Sequence, residues 1–99
     1  MRRAAKADRN QPEIAATFRR CGFAVAHTHT VGRGFPDLVV ARNGWTALIE
    51  IKDGNKPPSA RKLTPEEAEF HAHWPGEIHV INSPDDVVRL YESLIFDGH

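Results

Sequence analysis

Gly34-Phe35-Pro36-Asp37-Leu38-Val39-Val40-Ala41-Arg42-Asn43-Gly44-Trp45-Thr46-Ala47-Leu48-Ile49-Glu50-Ile51-Lys52 is the stretch on which the fold turns. Two runs rich in Val, Ile and Leu flank Asn43-Gly44, the strongest short-range signal for a two-residue hairpin loop. With those two residues as the loop, Arg42 faces Trp45, and the same pairing sets Asp37 directly opposite Glu50. Directly opposed residues share a face, with Cβ atoms roughly 5 Å apart, and like charges there are destabilising. Lys52, two residues past Glu50, projects from that face too, because side chains alternate along a strand. One ammonium offsets only part of two carboxylates in an apolar surround, whereas a divalent cation with oxygen ligands matches their charge and geometry better. The alternative is a buried acid pair with one ion-paired lysine, serving stability alone. The pairing depends on register: a four-residue loop keeps it, and a three-residue loop would break it.

At these residues the chain resembles the PD-(D/E)xK nuclease superfamily: Pro36-Asp37, twelve intervening residues, then Glu50-Ile51-Lys52. Gly34-Phe35-Pro36-Asp37-Leu38 followed by Leu48-Ile49-Glu50-Ile51-Lys52 is similar, more narrowly, to the VRR-NUC branch. That resemblance implies an α/β (α+β), restriction-endonuclease-like core with a mixed sheet flanked by helices. It implies Asp37, Glu50 and Lys52 as catalytic residues, with Mg²⁺ or Mn²⁺ held by Asp37, Glu50 and the Ile51 carbonyl. A glutamate on the first helix often joins the acidic cluster in this family, and Glu13 is the matching candidate. Members often read Leu-Thr-Pro-x-Gln and then Phe-His and Trp; here Leu63-Thr64-Pro65 is followed by Glu67 where the glutamine would stand. Glu67 is therefore either a partner that holds Lys52, a further metal ligand, or only a helix cap.

Ninety-nine residues suit one compact domain, read as residues 10–99 behind a basic, flexible N-terminus at 1–9. Lys plus Arg and Asp plus Glu each number 13, so net charge does not advertise a nucleic-acid partner. Distribution says more: Arg2, Arg3, Lys6 and Arg9 crowd the N-terminus, while Lys52, Lys56, Arg61 and Lys62 follow the motif. Arg33, Lys56, Arg61 and Lys62 are candidate phosphate contacts, with exposed solubilising charge as the plain alternative. Cys21 is alone, so no internal disulfide forms, and no apolar run reaches membrane-spanning length. A cytoplasmic setting is the default expectation, in a bacterial host and on a phage genome if the resemblance holds.

Along the chain, Asn10 and Glu13 read as a capping box for a first helix with Ile14, Ala15, Phe18 and Cys21 inward and Gly22 as its stop. Residues 23–30 alternate as a strand. It carries His27 and His29 on one face at metal-ligand spacing, without the cysteine pair or His-x-x-x-His that zinc would favour. Residues 53–59 read as an irregular loop. Thr64, Pro65 and Glu67 start a second helix, with Ala68, Phe70, His71 and Trp74 on its inner face. A short strand at 77–81 precedes a last helix opened by Ser83-Pro84, with Val87, Val88, Leu90, Leu94 and Ile95 inward. The expected order is α-β-β-β-α-β-α.

The leading functional expectation is a metal-dependent endonuclease that hydrolyses DNA phosphodiester bonds. It would read backbone and shape, since no expected helix carries the basic or amide array of base readout. Small members of the family look like homodimers that cut branched DNA such as four-way junctions, which implies a symmetric dimer here, with Trp45, Leu94 and Phe96 as surface candidates. The competing expectation is a catalytically silent module that binds nucleic acid or a partner protein.

Overall fold

The computed structural model describes residues 9–98; Arg2, Arg3 and Lys6 of the basic N-terminal cluster lie outside them. Helix α1 (Gln11–Arg20) leads into β1 (Ala24–His27), β2 (Leu38–Arg42) and β3 (Trp45–Ile51). A 3-10 turn (Pro58–Arg61) precedes α2 (Pro65–His73), β4 (Ile78–Ile81) and α3 (Pro84–Phe96). The four strands form one mixed sheet in the order β1-β2-β3-β4, antiparallel except for the parallel β3–β4 pair. The architecture and element order are those read from the sequence.

The hairpin follows from its loop. Asn43 and Gly44 both adopt positive φ, 49° and 79°, as a two-residue turn matched to strand twist requires. Pairing runs from Arg42 with Trp45 down to Leu38 with Ile49. Beyond that pair the Asp37 N–H donates to Ile49 O, and the Asp37 side chain meets Glu50.

Alternation then sorts the sheet into two faces. Leu38 and Val40 of β2 with Trp45, Ala47, Ile49 and Ile51 of β3 join Ile14 and Phe18 of α1, Ile81 of β4, and Val87 and Leu94 of α3 in the hydrophobic core. Leu48 and Glu50, buried as well, take the intervening positions and face the other way. The apolar layer thus leaves the acidic motif on the face opposite the core, where α2 covers it.

Several local expectations change. Thr64 and Glu67 form their capping box, with both bonds present. Asn10 and Glu13 do not. Instead Asn10 Nδ2 donates to the carbonyls of Lys52 and Asn82, 3.3 and 3.2 Å away, and so ties the start of α1 to the ends of β3 and β4. The first strand is shorter than read, and His29 lies beyond it. Part of the 53–59 loop is ordered as the 3-10 turn. On α3, Val87 and Leu94 are buried, but Val88 and Ile95 are exposed. No residue of α2 is fully buried, so its Ala68 and Trp74 are not a core face. Trp45 and Leu94 are core residues, which removes them as dimer-surface candidates; Phe96, 91% exposed, remains.

Candidate active site

Asp37 is fixed through its main chain before its side chain does anything. Its N–H donates to Ile49 O at 2.9 Å, and its carbonyl accepts from Thr28 N at 2.8 Å. Thr28 Oγ1 also donates to Pro36 O at 2.8 Å, so the end of β1 clamps the Pro-Asp dipeptide against β3. The Asp37 carboxylate then uses Oδ2 to accept from Ile51 N at 2.8 Å, and the same side chain hydrogen-bonds Glu50. Across the hairpin sits Glu50, only 2% exposed.

Lys52 closes the group. Its Nζ lies 2.7 Å from Glu67 Oε1, with side-chain exposures of 13% and 19%. That same oxygen accepts from Thr64 N at 2.9 Å, so the residue that caps α2 also holds the lysine. Glu67 thus caps α2 and bonds Lys52 in one arrangement. One helical turn further, His71 Nε2 lies 3.4 Å from Glu50 Oε1. The placement of α2 depends on Gly34, which has φ of 77° and packs so tightly on the backbone at Glu66 that a Cβ would collide with that carbonyl oxygen.

The electrostatics follow from this crowding. Burial, a side-chain hydrogen bond with Asp37, and the charges of Asp37 and Glu67 push the Glu50 carboxyl up to about 9, with Lys52 opposing. For Glu67 burial acts to raise the value, but bonds from Lys52 and Thr64 outweigh it and hold the carboxylate below its ordinary range. Burial lowers His71, Glu67 opposes this, and Lys52 lowers it further. With Glu50 pushed up and His71 pushed down, both shifts act against an ion pair between them.

A carboxyl that retains its proton near neutral pH, beside a second carboxyl, marks a place short of positive charge, and a divalent cation with oxygen ligands fits it. The adjoining Asp37 and Glu50 carboxyls are oxygen donors of the kind that suits Mg²⁺ or Mn²⁺. Among the described residues no three His, Cys, Asp or Glu side chains converge as a metal cluster, so a third ligand at this site would have to be main chain or water.

Other candidates lie elsewhere. Glu13 is exposed and lines a separate polar cavity with Asn10, Asn82 and Asp86. Arg61, its Nε without a partner among the described residues, lines the same cavity. Lys56 and Lys62 are exposed on the segment after β3. Arg33, at φ 57°, edges an apolar groove against α2 with Phe70 and Trp74. His27 and His29 both turn their Nδ1 atoms to Gln11 Nε2, at 2.9 and 3.1 Å. Sequence reading missed the placement of His71 beside Glu50. The available signal was the i,i+4 spacing of Glu67 and His71, which stacks them on one helix face.

A search of solved structures finds a VRR-NUC domain that superposes with a TM-score of 0.63 at 26% identity, over 97% of this chain and 100% of that one. A scan against protein-family models finds no match, and neither does a search of curated proteins.

Proposed function

We propose that this chain, which is similar in fold to a VRR-NUC domain, is a metal-dependent endonuclease hydrolysing DNA phosphodiester bonds. One observation carries the reading: the hairpin brings the Asp37 and Glu50 carboxyls together on a face shared with Lys52, beneath a helix that sends Glu67 to Lys52 and His71 to Glu50. A hairpin kept for stability alone has no need of that arrangement, since burying charge that apolar residues could replace is often neutral or worse.

Asp37, Glu50 and the Ile51 carbonyl hold Mg²⁺ or Mn²⁺. When bound, such an ion lowers the pKa of a coordinated water and neutralises phosphate charge. Lys52, its Nζ aimed by Glu67, places a positive charge where the attacking oxygen and the phosphoryl oxygens gather negative charge, an electrostatic role. Glu67 fixes that ammonium in position, so the lysine need not search rotamers when substrate arrives. Arg33, Lys56, Arg61 and Lys62 supply phosphate contacts away from the acidic motif, and sequence is not read through bases.

The preferred substrate is branched DNA such as a four-way junction, cut by a homodimer whose twofold axis relates two sites and two strands. No helix of the described residues is long and apolar enough to cross a membrane. The test is cleavage of labelled linear duplex, single strand, flap, fork and four-way junction in Mg²⁺ or Mn²⁺. Preferential cutting of the junction supports the reading, whereas equal cutting of junction and linear duplex removes the structure selectivity. DNA binding without any cutting would favour the silent module.

A further inference from the structure

We propose that His71 is a positioning residue for the metal-ligating carboxylate of Glu50, an inference that rests on the nuclease reading above. The geometry singles it out. Each acid at the site has one oxygen against a protein nitrogen: Asp37 Oδ2 accepts from Ile51 N, Glu67 Oε1 accepts from Lys52 Nζ and Thr64 N, and Glu50 Oε1 lies 3.4 Å from His71 Nε2, a donor to it once Glu50 is ionised and the ring carries its proton there. Asp37 and Glu50 also share a side-chain hydrogen bond, the contact that a cation between the two carboxylates would replace.

Glu50 needs such a guide more than Asp37 does. Asp37 is locked by its own backbone and by Ile51, whereas the Glu50 side chain carries an additional rotatable bond and stands in a 2% exposed position beside two other acids. Without a donor on Oε1, the carboxyl is free to rotate and offer either oxygen to Asp37. His71 supplies the donor from α2, and α2 is itself fixed by the Thr64–Glu67 capping box and by the Glu67–Lys52 bond. The 3.4 Å separation is long for a neutral pair, and donors to an ionised carboxylate sit closer. Partners of this kind behind a metal ligand typically change metal affinity 10- to 100-fold, or about that factor in activity. The Nε2–H is the atom that matters, so glutamine, whose amide nitrogen reaches a similar place, replaces it and phenylalanine does not.

The experiment is Mn²⁺ binding to the full chain, read as loss of the free-ion electron paramagnetic resonance signal, for wild type, His71→Phe, His71→Gln and Asp37→Ala. Thermal melts establish that each variant is folded, and His71→Ala stands in if the phenylalanine does not pack. The expected result is a 10- to 100-fold weaker Mn²⁺ affinity in His71→Phe, recovery of most of it in His71→Gln, and loss of binding in Asp37→Ala. If Asp37→Ala loses Mn²⁺ while His71→Phe or His71→Ala binds it like wild type, the positioning role is wrong and the metal site stands. Equal weakening in the Phe and Gln variants also overturns it, since a purely structural role would not distinguish the donor. If Asp37→Ala binds like wild type, the metal site itself falls, and the role of His71 falls with it.

Discussion

Replacing Glu50 with glutamine should stabilise the metal-free protein at and above neutral pH while destroying its metal site. The buried Glu50 carboxyl titrates near 9 in the folded chain against an ordinary value of 4.5. The folded state therefore keeps a proton that the unfolded chain gives up. Stability from this group is complete below pH 4.5 and is lost progressively as pH rises toward 9. Within that window the slope is at most about 1.4 kcal/mol per pH unit, so the metal-free wild type should lose up to roughly 3 kcal/mol between pH 6 and pH 8. Glutamine imitates the protonated acid at every pH and removes the slope, which makes the variant more stable than wild type by up to about 3 kcal/mol at pH 7. Urea denaturation at pH 6, 7 and 8 with a chelator present reads both quantities. Added Mn²⁺ should raise the wild-type midpoint most at the highest pH, because binding displaces the proton, and leave Glu50→Gln unmoved. Parallel pH profiles for the two metal-free proteins would refute the account of Glu50 as a buried acid that waits for a cation.

Further consequences follow from single contacts. Glu67→Gln retains the capping geometry and a neutral acceptor for Lys52, and should cost about 1 kcal/mol in chemical denaturation, with less than a tenfold change in cleavage rate; a loss of several hundredfold would mean that Glu67 takes a direct part in the chemistry. Asn10→Ala removes one amide that serves two carbonyls 42 and 72 residues away, and should destabilise by about 1–2 kcal/mol although it lies in a helix cap with no side-chain bond of its own. Gly34→Ala, where φ is positive and a Cβ would strike the Glu66 carbonyl, should lower stability by more than about 1 kcal/mol and weaken Mn²⁺ binding by displacing α2; a variant with wild-type melting and affinity would show that the loop yields easily.

What the sequence made legible is what local chemistry decides. The Asn43-Gly44 turn sets its own register, and the placement of Asp37 and Glu50 on one face, with Lys52 beyond, follows by alternation. Thr64 with Glu67 likewise defines a helix start within four residues. The misreadings are long-range. Asn10 looks like a cap, yet its amide is drawn to two strand-end carbonyls that no local pattern reveals. The apolar residues of α2 look like a core face, but the helix lies over polar chemistry, and Phe70 stacks on Trp74 and meets Phe35 instead of entering the core. Trp45 looks available for a partner until Phe23 and Glu77 are seen to enclose it. His71 was placed on the correct face of its helix, but its meeting with Glu50 depends on how α2 docks, which the Lys52–Glu67 bond and Gly34 determine.

The most direct test of the central claim is cleavage of a labelled four-way junction by wild type, Asp37→Ala and Lys52→Ala, each with Mn²⁺ and with chelator. The account requires product only with metal, none above background from Asp37→Ala, and a rate reduced on the order of 10²- to 10³-fold in Lys52→Ala. Undiminished cutting by Asp37→Ala, or by wild type in chelator, would contradict it.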